Sequence, residues 1–222
     1  MRRFDWKPYI KNLKNVSLKE QWEKDFVTIL EKIRVNQKKR VLEVGCSNGR
    51  WLRWFYDKYK CETNGIDLED IGFERGGPIN FVKGDAHKLP YKDCAFDLVF
   101  SIGLLEHFKK TGRRKILEEK ARVLCENGLL ILIVPNLCYN LEFFRVKLLY
   151  DFLQGYQHYV VARSELEQIL EKLQLKVIYF DYIGIFRKIR FFIKIKKILL
   201  FKMFFSDSFI YICKKVKQSH KI

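Results

Sequence analysis

Two glycines and three acidic residues lie at the ends of neighbouring apolar runs, in an arrangement that could bind a nucleoside. Glu43 lies in the run "RVLEV", which is followed by Gly45 and then by Gly49, while Asp67 and Asp85 end the next two runs. A glycine after a strand lets the backbone approach a ligand, and a helix that begins there offers unpaired N–H groups. An acidic side chain on the neighbouring strand tip can accept hydrogen bonds from ribose hydroxyls. For the two glycines alone, a tight strand-to-helix turn is the alternative.

The elements that must position these residues alternate between strand and helix. Helical spacing of apolar residues predicts a first helix over 18–35 and later helices in "GRWLRWFYDKY" and "RRKILEEKARVL". Near-continuous apolar strands that alternate with helices predict a parallel sheet covered on both faces. The predicted strands are "RVLEV", "ETNGID", "INFVKGD", "AFDLVFS", "GLLILIV", "LKVIYFDY" and "SFIYICKK".

The composition bounds the class of protein. The chain of 222 residues has 43 Lys+Arg against 26 Asp+Glu, a net charge of +17. Such a charge favours nucleic acid or an anionic membrane as a partner, although AT-rich coding would produce the same lysine-rich composition. The six cysteines show no metal-ligand spacing, so we expect reduced, mostly buried thiols in a cytoplasmic protein. We expect neither a signal peptide nor a membrane-spanning helix.

The spacing around the first glycine distinguishes between nucleoside ligands. Dinucleotide-binding folds use G-x-G-x-x-G, whereas here the pattern is E-x-G-x-x-x-G, with Glu43 before Gly45. A carboxylate beside this loop would repel a pyrophosphate, but it suits a ligand that carries an amine and a sulfonium cation. S-adenosylmethionine carries both groups.

At these residues the chain resembles class I S-adenosylmethionine-dependent methyltransferases of the type 11 group. The resemblance covers roughly residues 38–182 and a last strand at 207–214. It implies an α/β fold: a Rossmann-like, doubly wound, seven-stranded sheet with an antiparallel last strand and helices on both faces. It also divides the chain into an N-terminal helical segment, 1–37, and a methyltransferase domain, 38–222. The matching segments are "VLEVGCSNG", "GIDL", "GDAHKLPYKDCAFDLVFS", "LLEHF", "RVLCENGLLILIVPN" and "YQHYVVARSELEQILEKLQLKVI".

The resemblance also implies roles for individual residues toward S-adenosylmethionine. Glu43 orients the glycine loop or the methionine amino group, and Ser101 approaches the methionine part. Asp67 holds the ribose. The family often has glycine where this chain has Ser47, for which we expect a modest adjustment of the loop. The remaining implied cofactor contacts are Gly45, Cys46, Gly49, Leu68, Asp85 and Ala86.

His107 is the best-placed candidate for a general base. Methyl transfer is an in-line displacement at an activated carbon, so a base is needed only where the acceptor holds its proton tightly. Packing or capping of the turn after the fourth strand is the alternative role for His107. The segment "GLLEH" resembles a metal-binding E-x-x-E-H arrangement, but Gly103 replaces its first Glu. We therefore predict no metal site.

Two insertions indicate the acceptor. Residues 137–155 are rich in aromatic and aliphatic side chains that could roof an apolar substrate, and residues 183–205 carry seven Lys/Arg and no acidic residue. The second insertion has the composition of an interfacial membrane helix, although a packed helix or a dimer contact would also explain it.

The leading hypothesis is methyl transfer to an apolar or membrane-associated small molecule, such as a quinone, a lipid or an envelope intermediate. The enzyme would then be cytoplasmic or peripheral at the inner face of the membrane, with residues 185–205 in contact with anionic lipid. An RNA methyltransferase is the second hypothesis, although the chain lacks the N-P-P-Y-like turn and the Pro-Cys nucleophile of base-modifying enzymes. A cofactor-binding regulatory protein without turnover is the third.

Overall fold

A computed structural model describes residues 20–33, 40–70, 78–136, 159–184 and 208–216, and every structural statement below concerns those ranges. They form seven strands and four α-helices, in the alternating order that the sequence predicts. The helices are α1 (Gln21–Lys32), α2 (Arg50–Tyr59), α3 (Lys110–Val123) and α4 (Arg163–Lys172). The strands are β1 (Arg40–Val44), β2 (Glu62–Asp67), β3 (Ile79–Lys83), β4 (Phe96–Ile102), β5 (Leu124–Pro135), β6 (Leu175–Ile183) and β7 (Ser208–Lys215).

All seven strands belong to one sheet, with the order β3-β2-β1-β4-β5-β7-β6. The first five strands pair in parallel, whereas β7 runs antiparallel to both β5 and β6. The predicted seven-stranded fold with an antiparallel last strand is therefore confirmed. Strand order reverses between β1 and β4, and parallel sheets of this kind bind ligands beyond the carboxyl ends of the strands at that point.

Helices cover both faces of the sheet and bury two separate apolar clusters. Phe26 of α1 and Phe55 of α2 pack on one face with Val41 of β1. Ile116 of α3 packs on the other face with Leu42, the next residue of the same strand. Successive strand side chains point to opposite faces, so one apolar run supplies both clusters. This explains why the central strands read as continuously apolar.

The first helix is shorter than predicted and belongs to the core. It spans Gln21–Lys32, and both Phe26 and Leu30 are fully buried. Its partner across the interface is α2, where the Trp51 ring lies 5.8 Å from that of Trp22, centroid to centroid. The division of the chain at residue 37 stays a prediction.

The expectation of reduced cysteines is wrong for one pair. Cys94, in the loop before β4, and Cys125, at the start of β5, form a disulfide with their Cα atoms 4.0 Å apart. Parallel pairing of β4 with β5 brings the amino ends of both strands to the same edge, so the sheet itself sets this contact. Sequence spacing could not show it, because the two cysteines are 31 residues apart. Cys46, Cys61 and Cys213 are buried thiols, as expected.

The two predicted insertions lie almost wholly outside the described residues, which stop at Asn136 after β5 and at Gly184 after β6. The predicted roof over 137–155 and the basic segment 185–205 are therefore known from their sequence alone. Among the helices that are described, none has the length and apolar character needed to cross a bilayer.

Candidate functional site

The loop between β1 and α2 is folded tightly against its neighbours. The N–H groups of Gly45 and Cys46 both donate to the carbonyl oxygen of Ile66, at 2.8 and 3.2 Å. Gly45 has a φ of +78°, and a Cβ atom there would lie 2.9 Å from Cδ1 of Leu104. Gly49 caps α2 with a φ of +70°. Both positions have a positive φ, which glycine adopts without strain. The Leu104 contact shows that the loop lies close to the chain that follows β4.

Asp67 fixes the same loop from the tip of β2. Its Oδ2 accepts a hydrogen bond from the Ser47 N–H at 2.8 Å, and its Oδ1 accepts one from the Glu69 N–H at 3.3 Å. Burial raises the pKa of Asp67, and these backbone hydrogen bonds oppose the rise. Ser47 has a φ of +52°, a left-handed conformation that favours glycine. The loop thus keeps a glycine-like conformation at the position where the family often has glycine.

Glu43 is buried beneath the loop among three charged groups. Glu43 is only 3% exposed. In the described part of the chain, its Oε2 accepts no hydrogen bond. Burial raises the pKa of Glu43 well above its usual range, and Asp67 adds to the rise, whereas Arg50 and Lys120 oppose it. A cationic group brought to this carboxylate would remove the penalty of the buried charge.

Arg50 begins α2 and joins it to α1. Its Nη1 donates to Oε1 of the buried Glu23 at 2.7 Å, and its guanidinium lies 5.8 Å from the centre of the Trp22 ring. This contact places the first helix beside the cofactor loop. Sequence reasoning missed both residues of the ion pair. In the sequence, Glu23 reads as a solvent-facing residue of α1, because hydrophobic spacing marks only the apolar residues of a helix as buried.

Asp85, Ala86 and Leu68 lie at the outer end of the site. Asp85 accepts hydrogen bonds from the N–H of His87 at 2.8 Å and lies 2.7 Å from its Nδ1. Burial alone would raise the pKa of Asp85, but these bonds outweigh it and the pKa is lowered. The Gly84 N–H donates to the Asp67 carbonyl at 2.8 Å, which ties the tips of β2 and β3 together.

The three residues differ in exposure. Leu68 is 47% exposed, whereas Ala86 is buried against the core. The structure therefore brings the tips of β2 and β3 together as predicted, with an exposed apolar side chain beside them.

Ser101, Glu106 and His107 follow the switch point at the end of β4. Ser101 is buried on the α3 face of the sheet, and His107 lies in a 3₁₀ turn, Leu105–His107. Nε2 of His107 lies 3.8 Å from Oε1 of Glu106, a buried residue. His107 thus lies at the carboxyl edge of the sheet, close to a carboxylate that would stabilise its protonated form.

Cys46 fills space within the site. Its Sγ lies where a Cβ on Gly65 would approach to 2.8 Å, and burial raises the pKa of its thiol well above the usual range. A thiol in such surroundings is a weak nucleophile. Cys46 therefore packs within the loop as a buried thiol.

Sequence reasoning missed Lys120, which is fully buried beneath Ser101. Its Nζ donates to the Ser101 Oγ at 2.5 Å. The stretch "EEKARV" reads as a solvated helix face, yet Lys120 follows the buried Ile116 by four residues. That helical spacing was the signal that could have found it.

The residues present fit S-adenosylmethionine. A buried carboxylate with an unused oxygen suits its cations, a carboxylate at the β2 tip suits ribose hydroxyls, and glycines with positive φ leave room at the loop. Within the described ranges, no group of three or more His, Cys, Asp or Glu is placed to hold a metal ion.

Comparison with known proteins agrees with this geometry. Residues 42–132 match the type 11 methyltransferase family, described as "Methyltransferase domain". A probable chloroplastic tocopherol O-methyltransferase of Oryza sativa subsp. japonica is 35% identical over 114 residues, which cover 47% of this chain and 31% of the relative. A probable tRNA methyltransferase 9B of Mus musculus is 33% identical over 99 residues, covering 42% of this chain and 21% of the relative. In both cases the match spans less than a third of the relative.

Solved structures share the fold over most of the chain. A putative methyltransferase in complex with the Haloferax volcanii Trm112 methyltransferase activator superposes with a TM-score of 0.72 and 16% identity, covering 98% of this chain and 100% of that one. Haemonchus contortus phosphoethanolamine N-methyltransferase 2, in complex with S-adenosyl-L-methionine, superposes with a TM-score of 0.63 and 15% identity, covering 95% and 56%.

The fold is that of class I methyltransferases. Residues 42–132 are similar to the type 11 methyltransferase domain, and the residues at the carboxyl edge of the sheet fit S-adenosylmethionine.

Proposed function

We propose that the chain transfers a methyl group to an apolar or membrane-associated small molecule, such as a quinone, a lipid or an envelope intermediate. The observation that carries this proposal is where the two insertions join the sheet. Ser208, the first residue of β7, pairs with Pro135 at the end of β5 and with Ile183 at the end of β6. Both insertions therefore leave the sheet at the edge that carries the proposed cofactor residues. An acceptor bound at this edge would therefore contact apolar side chains of the first insertion and basic side chains of the second.

The residues of the chain would position the reacting groups. Asp67 would hold the ribose of S-adenosylmethionine, and Glu43 would hold its amino group. The cofactor supplies the methyl group. His107 would accept the acceptor's proton at Nε2, if the acceptor is a hydroxyl or an amine, and Glu106 would stabilise the resulting charge. An apolar roof would exclude water from the reaction. The relationship to a probable tocopherol O-methyltransferase supports an apolar acceptor.

The basic segment is the proposed membrane contact. As a helix, residues 185–205 would present Arg187, Arg190, Lys194 and Lys197 on one side. Each cation near an anionic surface contributes about 1 kcal/mol. We therefore expect the protein to sediment with anionic liposomes and not with neutral ones.

Sedimentation of a variant with these four residues changed to Gln is the direct test of the membrane contact. The variant should stay in the supernatant and should bind S-adenosylmethionine as the wild type does. A variant with four exposed cations elsewhere changed to Gln, Lys58, Lys88, Lys110 and Lys176, has the same net charge and should still sediment. If wild-type protein ignores anionic liposomes, or if both variants are released equally, the membrane contact is wrong.

An RNA acceptor is the second candidate. The net charge of +17 and the relationship to a probable tRNA methyltransferase 9B favour it. Binding to RNA should weaken steeply with the logarithm of the salt concentration, whereas docking of an apolar acceptor should not. Incubation of the protein with methyl-labelled S-adenosylmethionine and fractionated extract identifies the class of acceptor. Label in lipid supports the first candidate, label in RNA supports the second, and no label in any fraction supports a regulatory protein without turnover.

A further inference from the structure

His87 connects the chain after β3 with the chain that follows β4. Its imidazole makes an edge-to-face contact with the ring of Phe108, with the two centroids 4.9 Å apart. A Cβ atom on Gly112, in the first turn of α3, would lie 3.2 Å from its Nε2. An aromatic ring and the backbone of a helix therefore hold the imidazole in place, although the residue is only partly buried.

The imidazole in turn orients Asp85. The backbone N–H and the ring Nδ1 of His87 lie 2.8 and 2.7 Å from the same carboxylate oxygen, Oδ1 of Asp85. The acceptor is a carboxylate, so Nδ1 is the ring nitrogen that donates. The Lys88 N–H also donates to the Asp85 carbonyl oxygen at 3.0 Å, which closes a tight turn over 85–88. Since both bonds from His87 use Oδ1, the other oxygen, Oδ2, can accept a hydrogen bond from a ligand.

The place of Asp85 in the sheet indicates which part of the ligand it would contact. From the switch point outward, the strands follow the order β1, β2 and β3. Glu43 would hold the amino group of the cofactor at β1, and Asp67 would hold the ribose at the end of β2, so the base would extend toward the end of β3. Leu68, which follows Asp67, is 47% exposed and offers an apolar surface to a planar base. Asp85 follows β3 and would therefore meet the edge of that base.

We propose that His87 is a positioning residue that sets the preference for adenine: it holds Asp85 so that Oδ2 accepts a hydrogen bond from the exocyclic amine of the base. Adenine has an N–H₂ donor at this position. Hypoxanthine has a carbonyl oxygen there, which cannot donate to a carboxylate. Asp85 thus distinguishes the two bases only while its carboxylate is held in the right orientation. This inference rests on the assignment of the cofactor and is independent of the acceptor.

Calorimetric titration with S-adenosylhomocysteine and S-inosylhomocysteine measures this preference, because the two ligands differ only in the base, adenine in one and hypoxanthine in the other. One charge-assisted hydrogen bond changes an equilibrium constant by about 30-fold, so the wild type should bind S-adenosylhomocysteine about 30 times more tightly. His87→Phe keeps a ring against Phe108 but has no donor for Asp85. It should lower the ratio of the two Kd values by about fivefold, the effect of one net hydrogen bond. The affinity for S-inosylhomocysteine should stay the same, because this ligand makes no such bond with Asp85.

Two further variants make the test specific. His87→Asn places an amide N–H₂ near the position of Nδ1 but lacks the aromatic ring, so its ratio should be closer to the wild-type ratio than that of His87→Phe. A purely packing role for His87 predicts the opposite order of the two variants. Lys88→Gln changes an exposed residue of the same turn and should leave both Kd values unchanged. Thermal unfolding shows whether each variant is folded.

The same titrations separate the two ways of failing. If S-adenosylhomocysteine does not bind to the wild type, the cofactor assignment fails together with this inference. If it binds and S-inosylhomocysteine binds equally well, Asp85 does not contact the base and only this inference is wrong. The role of His87 is also wrong, and the cofactor assignment stands, if His87→Phe keeps the wild-type ratio, weakens both ligands equally, or discriminates as well as His87→Asn.

Discussion

Replacement of Asp67 by Asn should weaken cofactor binding without unfolding the protein. In the free protein, one carboxylate oxygen of Asp67 accepts a hydrogen bond from the Ser47 N–H at 2.8 Å. The other oxygen accepts one from the Glu69 N–H at 3.3 Å. An asparagine can keep the shorter bond through its carbonyl oxygen, but its NH₂ group cannot accept from a ribose hydroxyl. One charge-assisted hydrogen bond contributes about 2 kcal/mol, so we expect a roughly 30-fold increase in Kd.

The charge of Asp67 does not support the fold by itself. Because burial raises its pKa, the folded protein binds more protons than the unfolded chain at pH values between the two pKa values, and stability contributed by this group falls as pH rises through that interval. Removing the charge therefore costs no electrostatic stability at pH 7. For the same reason, cofactor affinity of the wild type should fall as pH drops through the raised pKa of Asp67, because the neutral acid is a poorer acceptor.

Calorimetric titration with S-adenosylmethionine, together with thermal unfolding, tests this reasoning. Asp57→Asn removes the same charge from an exposed position on α2 and should leave both affinity and stability unchanged. An unchanged Kd in a folded Asp67→Asn protein would remove Asp67 from the ribose site. A large loss of stability would instead show that its main role is to hold the loop.

Three further predictions concern other parts of the molecule. His107→Gln should lower the turnover number in the labelled-cofactor assay while the calorimetric Kd for S-adenosylmethionine stays the same, and equal turnover would return His107 to a packing role. Gly45→Ala should lower the free energy of unfolding by about 1–3 kcal/mol, measured by urea denaturation, because it strains a φ of +78° and presses on Leu104; an unchanged midpoint would contradict the loop geometry. Mass spectrometry of a non-reducing digest should find the peptides of Cys94 and Cys125 joined, and reduction should lower stability by about 4 kcal/mol for a loop of this length; separate peptides would contradict the pairing.

Much of the fold was predictable because its signals are local. The bounds of β1, β2 and β7 agree with the predicted strands at both ends. Parallel sheets bind ligands beyond the carboxyl ends of their strands, which is why the acidic residues there were considered together. The spacing of glycines reports backbone conformation directly, which is why Gly45 and Gly49 were recognised.

The missed features depend on contacts between distant segments. Lys120 looks like a surface residue in the sequence, and only the packing of α3 under β4 brings it to Ser101. The Arg50–Glu23 ion pair requires α1 to lie against α2, and the disulfide requires the β4–β5 register. Hydrophobic periodicity reports which face of an element is buried, but it does not report which element covers that face.

The place of β7 has a consequence for the order in which the sheet forms during synthesis. β7 follows β6 in the chain but lies between β5 and β6 in space. Until 208–215 has left the ribosome, β6 has no partner and β5 presents an open row of backbone N–H and C=O groups, an interval on the order of seconds at usual translation rates. Nascent chains should therefore depend on chaperones most strongly just before β7 emerges, after the cofactor half of the sheet is already paired.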